Sequence, residues 1–258
     1  MLFLSDLDGT LMDSHCEISK EDVLAIRQWT KKNAFGLVTG RDEAFCKDLL
    51  KKYDLSCECI IANNGATAYY KDALVYSSCI DIQEAISMCE TILSYKEAEL
   101  FYTDECGNRY YPMRVYGKKR FERFQSLQPS LKSFQNMDIV DYLQTRKNGC
   151  AKLSLYVENH LFEYLPKYKA MFSDYEVMAT SKDYIEITRK NTNKWKALQH
   201  IPYKHAAFIG DGENDVCILE HLKDTYVMDH APKSVKQWGV CVESVAQAIK
   251  IESEKMYV

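Results

Sequence analysis

Two aspartates one residue apart, Asp6 and Asp8, stand in the run SDLDGTL, directly after the apolar residues Leu2, Phe3 and Leu4. Carboxylates that leave one strand end at i and i+2 can approach the same crevice. Gly9 lets the chain turn tightly there, and Thr10 adds a hydroxyl beside main-chain donors. Alone, the fragment reads equally well as a surface turn, because Asp-Gly is a common turn pair. It does not complete a calcium loop, since the further oxygen ligands and the closing Glu are missing at the needed offsets. Two hundred residues later, FIGDGENDV crowds Asp211, Glu213 and Asp215 behind another apolar run. Like charges so close repel, and partial burial strips their hydration. Such a cluster needs a counter-ion, a hydrogen-bond network or abundant solvent.

Three smaller fragments offer groups of complementary chemistry. Thr39-Gly40-Arg41 presents a hydroxyl and backbone donors where a strand gives way to a helix, a natural place for a phosphate and equally an ordinary cap and turn. Asn63-Asn64-Gly65 has the composition of a type I′ turn, with Asn64 near the same crevice. Lys194 opens an apolar helical stretch and is one of several lysines that read as exposed. Taken together, these pieces give the acidic cluster a use. Asp6 and Asp211 can share Mg²⁺, a hard cation that takes oxygen ligands and keeps waters beside substrate phosphate oxygens. Thr39 and Lys194 would hold the remaining phosphoryl oxygens. A second carboxylate beyond those a metal needs points to covalent chemistry. Asp6 would attack phosphorus, while Asp8 protonates the leaving oxygen and then activates water.

The elements that must deliver these groups form an alternating pattern. A strand at Leu2 to Leu4 precedes a helix after Ile18, with Ser19 as its N-cap and Val23 and Ile26 on the buried side. A strand at Ala34 to Val38, a helix from Asp42 to Lys51 and a strand at Glu58 to Ala62 follow, as in a parallel α/β sheet. From about Asp81 the rhythm changes. A helix to Ser94, a strand at Glu99 to Asp104, another at Arg109 to Tyr111, a strand at Cys150 to Val157 and a hairpin of VMAT and YIEIT around SKD read as α+β. The first rhythm resumes with a helix at Lys194, strands at Ala206 to Ile209 and Tyr226 to Met228, a helix at Asp215 to Leu222 and a last helix from Val242 to Ile251. The expected architecture is therefore a Rossmann-like parallel-sheet α/β core in two parts, residues 1–81 and 189–258, with an inserted α+β cap domain at 82–188. In such a core the ligand crevice lies outside the carboxyl ends of the strands, where all four polar fragments fall.

Composition narrows the functional classes. A net charge of −4 supplies no basic field for nucleic acid. The ten cysteines include no Cys-x-x-Cys and follow no secretory signal, so reduced thiols and a cytoplasmic location are expected. The six histidines show no metal-ligand spacing. Apolar runs are far shorter than the roughly 20 residues that span a bilayer, so no membrane is expected. Nothing here bears on oligomeric state.

DLDGTL at 6–11, TGR at 39–41, Lys194 and GDGEND at 210–215, in this order, resemble the haloacid dehalogenase superfamily of phosphatases. The long insertion after TGR resembles the larger cap of the Cof-type sugar-phosphatase branch, since only 27 residues separate DLDGTL from TGR. The resemblance implies Asp6 as nucleophile and Mg²⁺ ligand, and Asp8 as general acid/base whose main-chain carbonyl also binds the metal. It implies Thr39, Gly40, Lys194 and Asn214 around the phosphoryl group, Asp211 as metal ligand, and Asp215 binding the metal directly or through water. Gly9, Thr10 and Asn64 support the site, and Glu213 is a solvent-side residue. One departure is Trp195, where family members often have Gly after the Lys; helix packing is the expected role. The cap is expected to close over the crevice, with Asp104, Arg109, Arg114 and Lys182 as surface charges that could face a leaving group. The expected activity is Mg²⁺-dependent hydrolysis of a small phosphorylated metabolite, such as a sugar phosphate or a phosphorylated cofactor. A phosphosugar mutase and a catalytically silent metabolite-binding protein are the alternatives.

Overall fold

The structure, a computed structural model, describes residues 1–95, 99–107, 109–110, 137–157, 160–181 and 183–255. Arg114, Lys182 and Tyr111 lie outside the described residues. The chain divides into two compact units, Met1–Tyr76 with Asn193–Val258, and Ser77–Thr192.

The first unit is built on strands whose residues are apolar on both faces. In chain order these are β1 (Leu2–Ser5), β2 (Ala34–Val38) and β3 (Cys59–Ala62), each buried; β4 (Thr67–Tyr70) and the largely exposed β5 (Ala73–Ser77) follow at the edge of the sheet. Such runs suit a parallel sheet covered on both sides. Helix α1 (Lys20–Trp29) lies between β1 and β2, and α2 (Glu43–Tyr53) between β2 and β3. Ser19 caps α1 by accepting from the Asp22 amide, as the sequence predicts, and Val23, Ile26 and Trp29 form its buried stripe. Asp22 is buried because its other role is elsewhere: its Oδ1 accepts from the Ala246 amide at 2.7 Å, in the first turn of the chain's last helix.

In the second unit α3 (Ile82–Ser94), β6 (Glu99–Asp104), β7 (Arg109–Tyr110), α4 (Ile139–Gln144), β8 (Cys150–Tyr156), α5 (Leu161–Met171), β9 (Tyr175–Ser181) and β10 (Tyr184–Arg189) follow. Their strands form one antiparallel sheet in the order β7-β6-β8-β10-β9. Leu153 and Leu155, with Ile185, Ile187, Leu100 and Tyr102, share one buried cluster with Ala85, Met88, Cys89 and Ile92 of α3 and Tyr168 of α5. By the two-residue alternation of strands, Thr103, Lys152, Ser154 and Glu186 stand on the opposite face. There Lys152 Nζ donates to Glu186 Oε1 at 2.6 Å.

The chain returns to the first unit with α6 (Lys194–Leu198), β11 (Ala206–Gly210), α7 (Val216–Leu219), β12 (Asp224–Met228), α8 (Lys233–Lys236), β13 (Val240–Val242) and α9 (Val245–Lys255). Among the described residues its sheet has the order β13-β12-β11-β1-β2-β3-β4-β5, parallel from β13 to β3, with β4 antiparallel to β3. One expectation shifts: Val242 ends a strand paired with Tyr226–Met228 instead of opening the last helix, which begins at Val245. The alternating residues of Val-Cys-Val find a ladder partner in β12, and the helix waits for the turn at Ser244. No helix among the described residues is long and apolar enough to cross a membrane.

Candidate active site

The winding direction of the parallel sheet reverses at β1. From β1 the chain steps outward to β2 and β3 on one side, and β11, β12 and β13 run outward on the other. The carboxyl ends of β1 and β11 therefore border a switch point, where main chain diverges and leaves a crevice. Ser5 pairs with Ile209, and the Asp6 amide donates to the Ile209 carbonyl at 2.9 Å. The first residue past β1 is thus level with the end of β11, and Asp6 and Asp211 meet across some 200 residues of sequence.

One ligand atom from each of Asp6, Asp211 and Asp215 lies within 4.8 Å of the others. Thr10 Oγ1 donates to Asp211 Oδ1 at 2.8 Å, locking the two loops together. Gly9 makes this approach possible: its φ is +85°, and a Cβ there would sit 2.5 Å from Asp211 Oδ2. Asp215, fully buried, is tied down by its own loop, with Oδ2 accepting from the amides of Asp211 at 3.1 Å and Gly212 at 3.0 Å. Lys194, 1 % exposed, enters from the N-terminus of α6 and donates to Asp6 Oδ1 at 2.8 Å and Asp215 Oδ1 at 2.6 Å. The sequence reads this lysine as exposed; the structure overturns that, because two buried carboxylates compensate its charge.

Three carboxylates around one ammonium leave two negative charges in excess. The Asp6 carboxyl is accordingly pushed well above its usual range, first by burial and then by the Asp215 charge, against the pull of Lys194. Asp211 is raised as well, by burial first, with the Thr10 hydroxyl bond and His230 opposing. For Lys194 burial works to lower proton affinity, but the charges of Asp215 and Asp6 outweigh it and raise the ammonium above its ordinary value. The donor set of hard carboxylate oxygens, with charge left over, fits a divalent cation of the Mg²⁺ class.

Thr39, fully buried at the end of β2, accepts the Arg41 amide on Oγ1 at 3.0 Å. Accepting there leaves its hydroxyl proton available to donate. Asn63 and Asn64 both adopt left-handed backbone, with φ of 52° and 57°. Their amides donate to the carbonyls of Arg41 and Thr39, so this loop, which closes the β3–β4 hairpin with the Ala66 amide on the Asn63 carbonyl at 3.1 Å, is also stitched to TGR. Gly65, at φ +91°, passes so close to Asn193 and Lys194 that a Cβ would overlap the Asn193 carbonyl. Asn64 Oδ1 accepts from Asn214 Nδ2 at 3.4 Å and lies against Gly40, where a Cβ would be 2.9 Å away. TGR, NNG, Lys194 and GDGEND thus form one connected group.

Asp8 stands apart from the three-carboxylate cluster. Its side chain is half-exposed, and Arg41 grips both oxygens, Nε to Oδ2 at 2.8 Å and Nη2 to Oδ1 at 2.6 Å. Glu213 takes the Ser234 hydroxyl and stays exposed, consistent with a solvent-side residue. Trp195 stacks on His221, ring centroids 4.5 Å apart at 18°, packing α6 against the α7 region as expected. Sequence reading missed His230, whose Nε2 lies 3.6 Å from Asp211 Oδ2. Its place just beyond the carboxyl end of β12 is the signal that could have found it. The bond from Arg41 to Asp8 leaves no local signal, because the two are 33 residues apart.

Comparison with known proteins bears on the fold and the family. The chain is 24 % identical to Phosphatase YwpJ of Bacillus subtilis (strain 168), over 98 % of this chain and 95 % of that protein. The structure of TM0651 from Thermotoga maritima superposes with a TM-score of 0.79 at 22 % identity, covering 100 % of this chain and 97 % of that one. The subclass IIB sugar phosphatase BT4131 gives 0.75 at 18 % identity, covering 100 % and 99 %. At these identities the structures speak for the fold. The model of the haloacid dehalogenase-like hydrolases matches residues 3–245, and the chain belongs to that family.

Proposed function

We propose that the protein is a Mg²⁺-dependent phosphomonoester hydrolase of a small phosphorylated metabolite, acting through an aspartyl phosphate on Asp6. The observation that carries this reading is the buried Lys194 bridging Asp6 and Asp215 within a three-carboxylate cluster, with a second carboxylate, Asp8, two residues from the first. Lys194 holds Asp6 with one oxygen engaged, fixing the direction of the other. Asp6 attacks phosphorus, the bond from phosphorus to the ester oxygen breaks, and Asp8 delivers its proton to the departing oxygen. Asp8, now ionised, takes a proton from water; the water oxygen attacks phosphorus, the Asp6–phosphorus bond breaks, and inorganic phosphate leaves. The Thr39 hydroxyl, the Gly40 amide and Lys194 hold the phosphoryl oxygens, and Asn214 orients their surroundings. Asp6, Asp211, the Asp8 carbonyl and Asp215, directly or through water, would hold Mg²⁺, which neutralises charge on the phosphoryl group.

The unit Ser77–Thr192 acts in this reading as the cap that supplies leaving-group contacts. A sugar phosphate is the favoured substrate class, supported by the sugar phosphatase with the same fold. All ten cysteines are free thiols, which supports a cytoplasmic site of action. The test is phosphate release from a panel of phosphorylated metabolites. Turnover should require Mg²⁺ and fall by about 10⁴-fold or more in Asp6→Asn. Activity surviving that change would refute the covalent route, and isomer formation without phosphate would make the enzyme a mutase.

A further inference from the structure

Building on the phosphatase reading, we propose that Asn193 is a positioning residue for the phosphoryl group, acting through Lys194. The chain re-enters the first unit at Asn193, and Lys194 follows as the first residue of α6. A helix of five residues does not hold its shape by its own hydrogen bonds, so contacts at its start must set the line along which the lysine leaves the main chain. Asn193 makes them. Its backbone is extended, its Oδ1 accepts from the Lys196 amide at 2.9 Å, and its carbonyl accepts from the Ala197 amide at 3.4 Å. Gly65 closes the opposite side: a Cβ there would overlap the Asn193 carbonyl and stand 2.7 Å from the Lys194 amide nitrogen. The Gly65 loop hangs in turn from the carbonyls of Arg41 and Thr39, through the Asn63 and Asn64 amides at 2.9 and 3.0 Å. One line of contacts therefore runs from the Thr39 main chain to Lys194 and fixes how far apart the hydroxyl and the ammonium stand.

Two of the three ammonium protons go to Asp6 and Asp215, which leaves one for a phosphoryl oxygen. With the head held by two buried carboxylates and the residue 1 % exposed, the aim of that proton follows the position of the main chain. A displacement of about 1 Å at such a group is enough to cost on the order of a hundred-fold in rate. The residue type fits the task. Asn, Asp and Ser cap a helix start about equally well, whereas Ala does not. Aspartate next to Lys194 would add carboxylate charge beside a cluster that already has it in excess, and Asn supplies the same acceptor without charge.

The discriminating experiment measures kcat and KM with Mg²⁺ and p-nitrophenyl phosphate for the full-length wild type, Asn193→Ala and Asn193→Ser, scaled to the folded fraction by circular dichroism. Asn193→Ala should lower kcat/KM by about ten- to a hundred-fold, mostly in kcat. Asn193→Ser, which restores the acceptor, should return to within about three-fold of wild type. Equal rates in wild type and Asn193→Ala, or a loss that Ser does not restore, would overturn the assignment, since a merely stabilising cap changes the folded fraction and leaves the rate per folded molecule alone. Should the wild type release no phosphate from this ester or from the metabolite panel, the phosphatase reading fails by itself. Crystal structures of the two variants then decide whether Asn193 positions Lys194. Loss of the Lys194 bond to Asp6 or Asp215 in Asn193→Ala, with both bonds kept in Asn193→Ser, supports the inference, and any other pattern refutes it.

Discussion

Each unit of the molecule buries a lysine 2.6 Å from a carboxylate, Lys194 in the parallel-sheet unit and Lys152 in the antiparallel one. Their settings differ in charge count and in place. Lys152 lies within a strand and, among the described residues, meets one carboxylate, Glu186, which also takes the Ser154 hydroxyl. Lys194 lies at the strand ends and faces Asp6 and Asp215, with Asp211 beside them. Where one ammonium meets one carboxylate, packing can replace the pair at little cost. One ammonium against three leaves carboxylate charge over, which protons or a bound cation can offset. A buried ion pair within a strand thus differs from a cluster at the strand ends that keeps carboxylate charge in excess.

Replacing each lysine would test that separation most severely. Lys194→Met should lower kcat/KM on the order of a thousand-fold and cost about 3–5 kcal/mol in urea unfolding, because it strands buried carboxylates. Lys152→Met should cost about 3 kcal/mol, while Lys152→Met with Glu186→Leu returns to within about 1 kcal/mol of wild type. A double variant as unstable as the single one would mean that packing cannot replace the second pair.

Mg²⁺ should sharpen the contrast at the next level of magnitude. At a hundred times its Kd the ion adds about 2.7 kcal/mol to stability, visible as a higher Tm, in wild type and in the Lys152 variants alike. The pH dependence has a defined sign. Asp6 and Asp211 have folded-state values raised above 3.8, so their contribution to stability is present below 3.8 and is lost as pH rises through the raised values. The metal-free protein is thus penalised by these groups at neutral pH, and a bound cation would relieve them. As pH falls toward 3.8, protons displace the ion and the Tm increment should vanish; an increment independent of pH would place the ion elsewhere.

The smallest effect concerns the neighbour of Lys194. If Trp195 serves packing, His221→Ala should cost about 0.5–1.5 kcal/mol through the lost stack. The same variant should leave kcat/KM within about two-fold of wild type. A large change in KM would turn the stack into part of the substrate site.

Much of the fold was legible because parallel strands announce themselves as short apolar runs ending in Gly, Asp or Thr. DLDGT, TGR and GDGEND were placed at strand ends from that pattern alone, and the hairpin around SKD from its flanking alternation. Lys194 was not: its burial depends on two carboxylates 188 and 21 residues away, which no local window contains. The Asn63-Asn64-Gly65 loop was legible as a turn, and it closes the β3–β4 hairpin. That it also braces TGR was not legible, because the carbonyls that accept its amides lie more than 20 residues away. The edge strand at Val240 gave a weak signal, since three residues are too few to distinguish ladder from helix.

The position of β1 in its sheet also governs how the protein comes into being. One side of this strand is covered by β2, some 30 residues downstream, whereas the other waits for β11, whose first residue is Ala206. At the usual pace of about 5–20 residues per second, a ribosome needs roughly 10–40 s to traverse that interval. For that time the nascent chain carries an apolar strand with one open edge, and Asp6 with no lysine beside it. A truncated product therefore exposes an aggregation-prone edge and an incomplete site together, so that chaperone engagement and the onset of activity are tied to the same late event: the docking of the last quarter of the chain.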